Sequence, residues 1–305
     1  MCALFLSLLW LCLLTCVLAA APVFSAGDTM PSAPLPRAYG TAVPSGPASS
    51  HAAVAGLDAE GRADWFCLRL SYPHISSMVS DDEGVWLVLD NGRRALYAAA
   101  PGRARTAGQG SAWVTDVRSS MADPYPLEPE RPDTPLGVSP GRRRSYELLH
   151  ALYGATPAEV RTRLQRTALL GQPLFLSEPA AEAMRRADAV LRLAALADPS
   201  LKRLLRMDGG FAWRRIAGEN RLSPHAFGIA FDISPDVATY WRWSSLRPHP
   251  MQKSYPRAIV EAFENEGFIW GGKWHEYDLM HFEYRPEIIC KARMLRDVGN
   301  GGAAR

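Results

Sequence analysis

Hydrophobic and polar positions along this chain alternate in some stretches, recur with helical spacing in others, and vanish as a pattern between them. Residues 27–60 are rich in Ala, Pro, Gly and Ser with few aromatics, cannot pack a core and read as a linker. The pattern changes from 61 onward, where "DWFCLRL" and "GVWLVLDNGRRALYAAA" carry strand-like runs and Asn91-Gly92 suits a tight hairpin. Residues 61–120 therefore read as a small β-rich segment. The proline spacing of "DPYPLEPERPDTPLGVSPGRRR" excludes regular elements, so 121–144 reads as a second linker.

Helical signals begin near 145. Thr156-Pro157-Ala158-Glu159 offers an N-cap, a first-turn proline and a capping-box Glu before "VRTRLQRTALL". Further helices are predicted over 179–197, 199–206 and 256–266, with Leu191, Leu196, Leu201 and Leu204 as core-facing positions. After Gly209-Gly210 come short strands and loops with many aromatics. In "SPHAFGIAFDI", strand alternation puts Ile229, Phe231 and Ile233 on one face and Gly228, Ala230 and Asp232 on the other, where the small residues clear space around the acid. Residues 145–295 read as one domain and 296–305 as a flexible tail.

Composition narrows the function classes. The 305 residues are 48 % hydrophobic and 21 % charged, with a formal charge of +3 and a pI near 8.6. Apart from short runs such as Arg142-Arg143-Arg144 the basic residues are scattered, which does not call for a nucleic-acid partner. Residues 1–26 carry no charge and place a leucine-rich run before small residues, the pattern of an export signal. The basic n-region is missing, so an uncleaved membrane anchor stays open, and the chain is expected to be exported, in the periplasm or cell envelope. Cys2, Cys12 and Cys16 fall in that segment, leaving Cys67 and Cys290, which an oxidising compartment would allow to pair. No Cys-x-x-Cys or Cys/His cluster exists, so any metal must be held by nitrogen and oxygen.

Three residues in the last hundred stand out as a metal-ligand set: His225, Asp232 and His281. Two imidazoles and one carboxylate leave a fourth position for water, a common catalytic zinc arrangement. Asp278, three residues before His281 in "YDLMHFEY", is placed to take a proton from that water and pass it to a leaving amine, with Glu276 as its rival. His281 and Glu283 would share a strand face, with Phe282 and Tyr284 on the other. Trp270 and Trp274 read as packing beneath the site.

The residues "FAWRRIAG", "SPHAFGIAFDI", "GFIWGGKW" and "DLMHFEYRPEI" resemble the zinc peptidases of the D-alanyl-D-alanine carboxypeptidase and L-alanyl-D-glutamate peptidase superfamily, which cut bacterial cell-wall peptides. Every fixed position of that family's motif S-x-H-x-x-G-x-A-x-D is present, as Ser223, His225, Gly228, Ala230 and Asp232. The resemblance covers 209–289. It implies one zinc ion per chain, ligated by His225, Asp232 and His281, with Asp278 as catalytic acid/base. It also implies Arg214 as the cation for the substrate carbonyl or oxyanion, while Ser223 is either a substrate contact or a simple turn residue. An Asp at 278 and the turn Trp270 to Gly272 look more like the endopeptidase branch, while carboxypeptidase action on a terminal D-Ala stays open.

The expected fold is α+β, a small antiparallel sheet carrying the zinc ligands and flanked by helices, and the expected partners are peptidoglycan stem peptides. A zinc-stabilised binding module without turnover, as the signalling domain of Hedgehog proteins is in the same structural superfamily, is the competing class. A serine hydrolase centred on Ser223 is a much weaker reading, because no G-x-S-x-G elbow surrounds it.

Overall fold

Asp58 accepts the backbone N–H of Gly61 at 2.8 Å and so starts helix α1, Ala59–Ser71, across the very run "DWFCLRL" that reads as a strand. A short apolar run does not distinguish the two elements by itself, and the cap decides. The structure, a computed structural model, describes residues 53–102, 114–127, 134–236 and 238–302. These fall in one compact unit, Ser45–Arg305. The segment at 1–26, the linker up to residue 52 and the last three residues of the predicted tail lie outside the described residues. Among the described residues no helix is long and apolar enough to cross a membrane.

After α1 comes an antiparallel meander of β1 (Ile75–Asp81), β2 (Gly84–Leu89) and β3 (Arg94–Ala99), in which Asn91-Gly92 turns β2 into β3. Helix α2 (Tyr146–Tyr153) is capped by Ser145, and α3 (Pro157–Arg161) by Thr156. The predicted helix through "VRTRLQRTALL" stops there: β4 (Leu164–Leu169) and β5 (Gln172–Ser177) form a hairpin instead. Leu170 and Gly171, at φ 48° and 83°, make the left-handed turn that joins them. Strand pairing overrides the helix preference of Leu, Arg and Gln in this stretch.

Helix α4 (Glu178–Ala197) buries Ala180, Met184, Ala187 and Leu191, whereas Leu196, predicted to face the core, is exposed. The C-terminal sheet follows, with β6 (Met207–Gly209), β7 (Ala230–Ile233), β8 (Phe268–Trp270) and β9 (His281–Tyr284) in the antiparallel order β6-β7-β9-β8. Its underside is aromatic. Phe231 stacks on Phe282 directly across the β7–β9 pair, with ring centroids 5.5 Å apart, and Phe263 from helix α5 (Arg257–Asn265) packs 4.6 Å from Phe282. The period of two then sends the neighbouring pair, Asp232 opposite His281, to the other face. The fold is α+β, as expected.

Three compositional readings need correction. The chain does not end in a loose tail from 296, because helix α6 runs over Pro286–Gly302. Nor is 61–120 a purely β-rich segment apart from the rest. Helix α1 lies against α6, joined by the Cys67–Cys290 disulfide and by Lys291, whose Nζ is 2.8 Å from both Asp64 and Glu60. The proline-rich stretch 121–144 is likewise no spacer. Tyr125 donates to Glu264 at 2.5 Å, Trp274 donates to the Pro140 carbonyl at 2.7 Å, and Arg142 and Arg144 are buried.

Candidate metal and catalytic site

His225 does not sit on a strand. Ser223 caps the 3-10 turn Pro224–Phe227, its hydroxyl accepting from His225 N at 3.4 Å, and Gly228 closes the turn at φ 65°. A Cβ at Gly228 would lie 2.6 Å from Leu164 and 2.8 Å from the Ser177 nitrogen. Glycine is therefore required by the turn and by the adjoining β4–β5 hairpin, not by space beside the acid as the alternation implies. Ala230 does face the acid's side of the sheet, directly opposite Glu283. Its small side chain leaves that carboxylate room.

The three predicted ligands converge. His225 Nε2 lies 3.2 Å from Asp232 Oδ2, His281 Nδ1 lies 3.1 Å from Asp232 Oδ1, and one donor atom from each residue falls within 4.8 Å of the others. The second nitrogen of each ring is also engaged. His225 Nδ1 is 2.8 Å from the Gly210 carbonyl, and a carbonyl only accepts, so Nδ1 carries a proton and Nε2 is the nitrogen turned toward Asp232. His281 Nε2 is 3.4 Å from Glu283 Oε2, which leaves Nδ1 to face inward.

Electrostatics sharpen the picture. Burial alone would raise the Asp232 carboxyl, but the charges and hydrogen bonds of His225 and His281 outweigh it and hold the group well below the usual carboxylate range. Burial lowers the His281 imidazole, yet Asp232 and Glu283 on either side lift it to about 9. Two imidazoles and a carboxylate, each imidazole held by an outer acceptor, form a donor set suited to one zinc ion.

Asp278 enters β9 from the loop before it. Its N–H donates to the Gly271 carbonyl at 3.0 Å, and its own carbonyl accepts from His281 N at 3.3 Å. A Cβ at Gly271 would sit 2.6 Å from the Asp278 backbone carbonyl oxygen, which is why this turn takes a glycine. Burial pushes the Asp278 carboxyl up to about 6 against the pull of His281. Its Oδ1 is buried with no hydrogen-bond partner among the described residues. The rival Glu276 is otherwise occupied, accepting from Ser139 at 2.8 Å and pairing with Arg142 at 3.1 Å. Burial raises its carboxyl, but those two partners hold it below its ordinary value.

The remaining predicted residues fall differently. Ser223 is buried in the turn that aims His225. Arg214 is exposed, and its guanidinium contacts the carbonyl of its neighbour Arg215 at 3.5 Å. Trp270 and Trp274 are both buried, and Trp274 lies 5.6 Å from the His281 ring.

The cation that does reach this site is Arg142, which the sequence reading overlooked. Its buried guanidinium lies 5.9 Å from the rings of both Trp241 and Trp274, and its charge draws the Asp278 carboxyl downward. Arg142 and Arg144 point inward while Arg143 pairs with Asp123 at 2.8 Å, an alternation that a bare run of three arginines does not reveal.

Residues 217–284 match the family model described as D-alanyl-D-alanine carboxypeptidase. The matched stretch holds His225, Asp232, Asp278 and His281, and it supports a peptidase. Ser139, Arg142, Arg144 and Arg214 lie outside it. No curated protein and no solved structure matches the chain.

Proposed function

We propose that the protein is an exported zinc metallopeptidase that hydrolyses peptide bonds in peptidoglycan stem peptides. The observation that carries this reading is the convergence of His225, Asp232 and His281 with both outward-facing ring nitrogens already engaged, beside a buried Asp278 oxygen that has no partner among the described residues. Zinc held by these three residues would supply Lewis acidity, polarising the scissile carbonyl and acidifying water. Asp278 takes the proton of the attacking water and returns it to the leaving amine. Arg142 is the better-placed cation for the substrate oxygen that gains charge, since Arg214 faces solvent. Export rests on the uncharged, leucine-rich run at 1–26.

Incubating the purified protein with peptidoglycan, with and without a chelator, and reading the new chain ends by mass spectrometry tests the proposal. Chelator-sensitive release of free D-Ala establishes a carboxypeptidase, and a new D-Glu amino terminus an endopeptidase. One bound zinc per chain with no cleavage would establish the binding module instead.

A further inference from the structure

Glu283 has no part in the reaction described above, yet it is a fully buried carboxylate set two residues from a metal ligand. An isolated charge of that kind is costly to bury, so its partners show what it is for. Arg144 grips it with two nitrogens: Nε donates to Oε1 at 2.8 Å, and Nη2 donates to Oε2. Arg285 stands farther off, 3.6 Å from Oε1, and donates to Glu287 at 2.6 Å. Arg144 is itself fixed, donating through Nη1 to the Arg142 carbonyl at 2.8 Å and bridging its backbone to Val114. The oxygen that Arg144 holds through Nη2, Oε2, is the one that faces His281 Nε2 at 3.4 Å.

We propose that Arg144 and Glu283 are positioning residues for the metal site: Arg144 clamps Glu283, and Glu283 accepts from His281 Nε2 and so keeps Nδ1 turned toward Asp232 and the place of the ion. A carboxylate gripped by a planar fork cannot rotate, so the ring it accepts from cannot flip or change tautomer without losing that bond. The inference rests on the reading of His225, Asp232 and His281 as zinc ligands. It extends the metal site beyond the family-matched stretch, because Arg144 precedes residue 217. The segment that composition marks as a linker then supplies the outer support of a ligand.

The test uses the full chain in four forms: wild type, Glu283→Gln, Arg144→Met and Glu287→Gln. Glu287→Gln disturbs a neighbouring buried ion pair that does not touch His281, and so controls for damage to packing. A Gln at 283 breaks the relay whichever way it turns, since its amide presents a donor either to Arg144 or to His281. Zinc affinity, measured by competition with a chelating dye, should fall about 10–100-fold in Glu283→Gln and Arg144→Met and stay at the wild-type value in Glu287→Gln. Nitrogen-15 spectra of the histidines in the zinc-loaded protein should show His281 protonated at Nε2 in the wild type and lose that signature in Glu283→Gln.

Wild-type zinc affinity and an unchanged His281 spectrum in Glu283→Gln and Arg144→Met would overturn the positioning role. A wild-type chain that binds no zinc would overturn the metal reading and this inference together. Should Arg144→Met fail to fold, Arg144→Lys keeps the charge but not the fork, and undiminished zinc affinity there refutes the clamp.

Discussion

Each residue of the site has a distinct expected loss. Asp232→Ala removes a ligand, so zinc content after dialysis should fall from one per chain toward none, a larger effect than the ~10–100-fold loss expected from an outer partner. Asp278→Asn keeps an isosteric side chain and should keep the zinc while lowering kcat by about 10²–10⁴-fold, read by peptide hydrolysis alongside metal analysis. The same carboxyl sets the pH response. Asp278 acts as a base only when ionised, and burial lifts it to about 6, so kcat/KM should rise with pH up to about 6 and then level. A nearby cation favours the carboxylate and moves that limb lower; an acid limb above pH 7 would exclude Asp278 as the group observed. Arg142→Gln should cost about 10²–10³-fold in kcat/KM with zinc retained, and Arg214→Gln much less, if Arg142 meets the developing charge. At this scale the cluster of His225, Asp232 and His281 was legible because motif spacing encodes it. Arg142 was not, because a buried arginine and a solvated one look alike in a basic run.

The elements hold these groups by register and by turns. Asp232 and His281 meet because Phe231 and Phe282, one step along each strand, must share the aromatic underside. Phe282→Ala should cost about 3–5 kcal/mol, seen as a lowered Tm. Gly228→Ala forces a side chain into a left-handed turn and against Leu164 and Ser177, and should cost at least about 1–3 kcal/mol and weaken zinc binding as the His225 turn shifts. Alternation in "HFEY" and the helices at 178–197 and 257–265 were readable from pattern. The β4–β5 hairpin and α1 were not, since "VRTRLQRTALL" prefers a helix locally and "DWFCLRL" is too short to show a period.

Across the described residues, those of 53–144 and those from 145 onward stand as one structure. A chain starting at 145 would leave Glu283 buried without Arg144, at about 3–5 kcal/mol, and would expose the α6 face that α1 covers. It should be insoluble or bind zinc poorly when compared with the full chain. The Cys67–Cys290 disulfide joins positions 223 residues apart, so Cys67→Ser should lower stability by about 2–5 kcal/mol in denaturant titration. The sequence by itself determined the grouping of His225, Asp232 and His281, the aromatic core of the sheet and the α+β class, because motif spacing and side-chain period are local properties of the chain. Only the tertiary structure decided that a proline-rich stretch supplies buried arginines to the site, that α1 is bound to α6, and that Glu283 holds a ligand in place. Those pairings span 139 residues for Arg144 with Glu283 and 223 for the disulfide, and no local pattern records a partner so distant.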